Sequence, residues 1–106
     1  MRAGRLRNKV TIQEKSVTLS AEGEEVVTWV NVATVWAGVE PLTGREYAIA
    51  SAEYAEVTTR VVMRYRPGVV PEQRVVFGEH TYNVRSVIDP DMRHKELQLM
   101  CDEVLA

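Results

Sequence analysis

At 106 residues the chain has room for one domain and one modest core, and a chain of this size withdraws only about two-thirds of its unfolded surface from water. Thirteen Lys and Arg face fifteen Asp and Glu, a formal net charge of −2, which excludes a dedicated basic nucleic-acid binder and names no partner. The lone Cys101 rules out an internal disulfide, no apolar run approaches the ~18 residues that span a bilayer, and the N-terminus has no apolar signal-peptide centre, so a protein of a reducing cytoplasm, without membrane contact, is expected.

In chain order, the first segment alternates Val10 and Ile12 with Lys9, Thr11 and Gln13, the period-two pattern of a half-buried strand. S-A-E-G-E then supplies a turn, and Val26 to Val39 follows, long enough for two strands or for one strongly bent strand with its bend near Asn31 and Ala33. Pro41 ends that run, because its ring fixes φ and removes a ladder donor. Here the period changes. Thr43 with Glu46 has capping-box spacing, and Leu42 with Tyr47 has the spacing of a hydrophobic staple, so a short helix is expected from Gly44, with Tyr47, Ala50, Ser51 and Tyr54 as its stripe.

Val57, Thr59, Val61, Met63 and Tyr65 share one face of the next strand, while Thr58, Arg60, Val62, Arg64 and Arg66 share the other. Pro67-Gly68 and Pro71 break it. Arg74 to Phe77 resumes the pattern, Gly78-Glu79 forms a two-residue hairpin turn, and His80 to Ile88 returns, ending at the turn residues Asp89-Pro90-Asp91. The final segment fits two patterns: Leu97, Leu99 and Cys101 would line one face of a strand, whereas Leu97, Met100, Cys101, Val104 and Leu105 match helical spacing. Counting alone slightly prefers the helix; a strand to about Asp102 would instead close a sheet whose edge is otherwise bare. The expected core is Val10, Ile12, Val30, Val35, Val61, Met63, Val75, Phe77, Val84, Leu97 and Leu99, with at least one of Trp29 and Trp36 inside it.

No catalytic set emerges. His80 and His94 lie far apart, Asp89 and Asp91 flank a proline in a turn, and alternation points Cys101 inward, so no nucleophile, base and orienter come together and no enzyme is expected. Asp89, Asp91 and Glu96 have neither the ligand count nor the loop pattern of a calcium site, and the six glycines are scattered singly rather than gathered in a phosphate loop. No metal and no cofactor are expected.

Four blocks together resemble the head-tail joining proteins of tailed bacteriophages and prophages, the head-closure or stopper proteins. They are G-R-L-R-N-K-V-T-I-Q at 4–13, T-W-V-N-V-A-T-V-W-A-G-V-E-P-L-T-G-R-E-Y at 28–47, R-Y-R-P-G at 64–68 and V-I-D-P-D-M-R-H-K-E-L-Q-L-M-C at 87–101. They cover more than half of the chain, in the family's order. The resemblance implies a mainly β fold, a small β-barrel of about six strands with a helix or loop inserted between early strands, and it favours the strand for the last segment. It further implies one domain over 1–106, with an N-terminal arm at 1–8 and the insertion at 41–56 facing a channel.

As partners, the resemblance implies the chain itself in a dodecameric ring, the portal or adaptor connector above, a tail or tail-completion protein below, and non-specific contact with packaged DNA. Such a ring closes the DNA exit channel and offers the tail its attachment surface. It assembles in the host bacterial cytoplasm and ends in the virion neck. Contact candidates are Arg5 and Arg7 of the arm, Arg45, Tyr47 and Tyr54 of the insertion, and the face bearing Arg60, Arg64 and Arg66. Each has a plainer reading: a solvated terminus, a helix packed on its own barrel, and arginines that keep an exposed strand soluble. The competing function is a free-standing small barrel that binds single-stranded nucleic acid, which would need exposed aromatics across a basic groove; here aromatics are 7% of residues.

Overall fold

The computed structural model describes residues 5–44 and 57–104. Six antiparallel strands follow in chain order: β1 (Asn8–Leu19), β2 (Glu25–Pro41), β3 (Thr59–Arg64), β4 (Arg74–Phe77), β5 (His80–Ile88) and β6 (Glu96–Glu103). They close into a barrel in the order β1-β2-β3-β6-β5-β4, with β4 returning to β1 through Thr11, Ile12 and Gln13. The last segment is a strand because β3 and β5 both need a neighbour. β6 lies between them, pairing Thr59–Arg64 on one side and Tyr82–Ile88 on the other, which leaves neither edge bare.

The barrel interior is filled by Val10, Ile12, Ala37, Val61, Met63, Val75, Tyr82, Val84, Leu97, Leu99 and Cys101, all at most 6% exposed, with Val35, Val39, Val69, Phe77 and Val87 packed against them. Two register shifts reconcile this core with strict alternation. One lies between Ile12 and Gln13, where Ile12 opposes Ala33 and Gln13 opposes Asn31, so Val32 has no partner and β2 changes parity where the bend is expected. The other lies between Val84 and Ser86, with Arg85 as the extra residue, and it lets both Val84 and Val87 turn toward the core. The β4–β5 turn is Gly78-Glu79 as expected, and Gly78 takes a φ of +59°, a conformation open to glycine at little cost.

Two burial expectations are corrected, that Val30 is in the core and that at least one tryptophan is. Val30 is 48% exposed, Trp36 is 57% exposed, and Trp29 is only half-buried, so neither tryptophan is in the core. Both tryptophans fall on the outward face of β2, Trp36 opposite Lys9 and Trp29 opposite Lys15, whereas for Val30 the reason is length. β2 pairs with β3 only from Ala37 onward, and β1 pairs with β4 only at Thr11–Gln13, so the outer parts of β1 and β2 pair with each other alone and run beyond the barrel as a two-stranded ribbon. Val30 keeps the parity of the inner face, but nothing covers that face so far out. The molecule is correspondingly elongated, 48 × 27 × 27 Å. Val35 and Phe77, at the barrel's rim, are half-buried rather than fully inside.

The expected helix start at Thr43 and Glu46, and the stripe Tyr47, Ala50, Ser51 and Tyr54, lie outside the described residues apart from Thr43 itself, which is exposed. Up to that point the expectation holds: β2 ends on Pro41, and the Leu42 N–H donates to the Thr58 carbonyl at 2.8 Å, joining the two ends of the insertion.

Candidate interface surfaces

The stretch Arg5–Arg7 crosses the outside of the barrel. Arg5 Nε and Nη2 donate to the two carboxylate oxygens of Glu40 at 2.6 and 2.8 Å, and Arg60 Nη2 donates to the same carboxylate at 3.2 Å. This fork-on-fork pairing fixes the segment over β2 and β3. The Arg5 hydrogen bond, ahead of the nearby positive charges and against partial desolvation, holds the Glu40 carboxyl below its ordinary value of 4.5. Gly38 makes the crossing possible: a Cβ there would stand 2.6 Å from the Arg5 carbonyl oxygen, far inside van der Waals contact. Leu6, Leu42, Val57 and Val62 are buried but do not belong to the barrel core, so β3 is covered on both faces along this stretch.

The three arginines expected on one face of β3 therefore divide. Arg60 is drawn into the Glu40 network, whereas Arg64 and Arg66 are exposed at the other end of the strand and make no ion pair among the described residues. Arg5 is engaged with its own barrel, and Arg7 is exposed just before β1. Arg45, Tyr47 and Tyr54 lie outside the described residues.

Arg64 and Arg66 flank an open groove that sequence reasoning missed. β2 and β3 part company above the Ala37–Met63 pair, and the gap between Trp36 on one side and Tyr65, Arg66 and Pro67 on the other is floored by Val35 and Met63. Tyr65 packs against His94 with ring centroids 4.5 Å apart, and His94 Nδ1 lies 2.7 Å from Asp89, so the groove wall is braced from the β5–β6 connection. The advance signal in the sequence is the five-residue apolar-basic run R-Y-R-P-G.

The ribbon is the second exposed surface. At its base Arg74 lies 4.1 Å from the Trp29 ring centroid and donates to Gln13 at 2.9 Å, and Gln13 donates to Asn31 at 2.8 Å, a chain that braces the register shift. Farther out, Val17 opposes Val27 and Leu19 opposes Glu25, and all of them are exposed.

Nothing in these surfaces assembles a reaction centre. His80 Nδ1 lies 2.9 Å from Glu103, and the second histidine pair is the Asp89–His94 contact in another connection; neither has a nucleophile beside it. Cys101 is wholly buried, and burial pushes its thiol up to about 12, which leaves it unreactive. Among the described residues no three His, Cys, Asp or Glu gather as metal ligands, and no helix is long and apolar enough to cross a membrane.

The family model for phage head completion proteins matches residues 1–104. Head completion protein gp7 of Enterobacteria phage HK97 is 31% identical over 106 residues, covering 95% of each chain. The solution structure of protein SF1141 from Shigella flexneri 2a aligns with a TM-score of 0.80 and 29% identity over 97% of this chain and 96% of that one. A chain of the native gene transfer agent virion has the same fold, with a TM-score of 0.64 at 22% identity over 96% of this chain and 98% of that one.

Proposed function

The chain belongs to the phage head completion proteins, and on that premise we propose that it is a structural virion protein, not an enzyme, that forms a ring beneath the portal of a tailed phage or prophage. The ring closes the DNA exit channel after packaging and gives the tail its surface of attachment. Its partners are other virion proteins: copies of itself, the portal or adaptor above, and a tail-completion protein below. The observation that carries this reading is the extent of the match, which runs through the whole barrel from residue 1 to 104 rather than through one strand-turn pattern.

The arm, the insertion at 41–56 and the Arg64–Arg66 end are the contact pieces in this reading, with the insertion toward the channel. Single-stranded nucleic-acid binding has no comparable support. Arg60 is held by Glu40, Trp29 lies under Arg74, and the exposed aromatics among the described residues are Trp36 and Tyr65 alone, too few to stack a run of bases along a strand.

Deleting the gene from its phage is the direct test. DNA-filled heads without tails, with infectious particles restored when the chain is supplied in trans, are expected. Normally tailed, infectious particles from the deletion would overturn the proposal.

A further inference from the structure

Beyond Lys15 the ribbon carries charge of one sign only. From Ser16 to Gly44 there is no Lys or Arg, while Glu22, Glu24 and Glu25 cluster at the turn, exposed and without ion pairs among the described residues. Beside the turn, Val17, Leu19 and Val27 stand exposed on one face at 49%, 72% and 47%. Two strands of this length should not project into water with an apolar, two-sided surface unless something covers it, since such edges invite pairing and aggregation.

The groove at the ribbon's base has the complementary character. Its walls are Trp36 and Tyr65, 57% and 37% exposed, and its rim holds Arg64 and Arg66. One molecule cannot satisfy itself, because the ribbon runs outward from the Trp36 side of its own groove.

We infer that the β1–β2 ribbon of one subunit lies in the Trp36–Tyr65 groove of the next copy of this chain, with Glu22, Glu24 and Glu25 at that neighbour's Arg64 and Arg66. This rests on the ring reading above and names the contact that builds the ring. About six residues per strand beyond the barrel reach roughly 20 Å, comparable with the 27 Å cross-section of one molecule, the spacing expected of barrels packed side by side. Ribbon and groove are different surfaces, so the contact is heterologous and repeats head to tail until it closes. Apolar area supplies adhesion, and the acid-to-arginine match fixes direction and register.

Disulfide trapping of the full chain tests this, since buried Cys101 does not compete. Glu24→Cys mixed with Arg66→Cys should give crossed dimers well in excess of either variant alone, and a chain carrying both should give a ladder beyond dimers. Adding Glu22→Lys and Glu25→Lys should slow trapping about tenfold, and Arg64→Glu in the partner should restore it. Circular dichroism should show every variant folded, because all these positions are exposed. A mixture that traps no better than its components, a ladder that stops at dimers, or a reversal that the partner change does not rescue would each overturn the contact. The gene deletion described above is independent of these readouts: tailed particles there would sink the head-completion role even with the ladder intact.

Discussion

Glu40 accepts hydrogen bonds from two arginines that the chain separates from it by 35 and 20 residues, so one carboxylate fixes the arm, β2 and β3 together. Because Arg5 holds its folded pKa below 4.5, this network stabilises the fold fully above about pH 4.5, where the unfolded carboxylate is also ionised, and the contribution is lost as pH falls through the lower folded value. Thermal melts of the parent should therefore fall below pH 4.5, and Glu40→Gln should start lower but decline less in that window; parallel curves would deny the network its role. Gly38 is the steric counterpart. In Gly38→Ala the new methyl meets backbone, the Arg5 carbonyl at 2.6 Å, not a side chain that can swing away. The arm must lift or β2 must shift, at a cost of about 1–3 kcal/mol, and protection of the Arg5–Arg7 amides in hydrogen exchange should drop with it. None of this was legible in sequence, since a lone glycine in a strand and a distant arginine carry no mark of their meeting.

At the scale of elements, alternation and turn chemistry disclosed most of the strands. Gly78-Glu79 announced the β4–β5 hairpin because few other pairs tolerate that turn, and Pro41 marked the end of β2. The β6 segment was not decided by pattern, because its leucines satisfy both periods; what decides it is the pairing need of β3 and β5, which is a property of the sheet. Val30 was misplaced for a related reason: parity gives the face a residue occupies, not whether the barrel extends far enough to cover it. Substitution separates the two situations. Leu99→Ala, wholly buried between β3 and β5, should cost about 2–5 kcal/mol, whereas Val30→Ala on the ribbon should stay within about 0.5 kcal/mol. Urea unfolding of the two variants would measure this, and a large loss at Val30 would mean that the ribbon's inner face is packed in the free protein.

For the whole molecule the question is when subunits join. An isolated chain exposes both ribbon and groove, yet each contact is one narrow two-stranded surface, of the small kind that gives weak association in solution. A ring of weak heterologous contacts becomes stable when a template holds neighbours side by side, since the second and later contacts are then made at high effective concentration. In the proposed role a ring formed before a head is filled would serve no purpose, so weak free association suits that role. Light scattering of the purified chain should accordingly report monomers at micromolar concentration and growing oligomers only as concentration rises. Arg64→Glu with Arg66→Glu should leave the melting curve unchanged while removing that growth, because both residues are exposed and make no ion pair among the described residues. In particles, the same double variant should be depleted from the virion neck and reduce infectious yield. Tight rings in dilute solution, or normal infectivity of the double variant, would show that neither the template nor this arginine pair governs assembly.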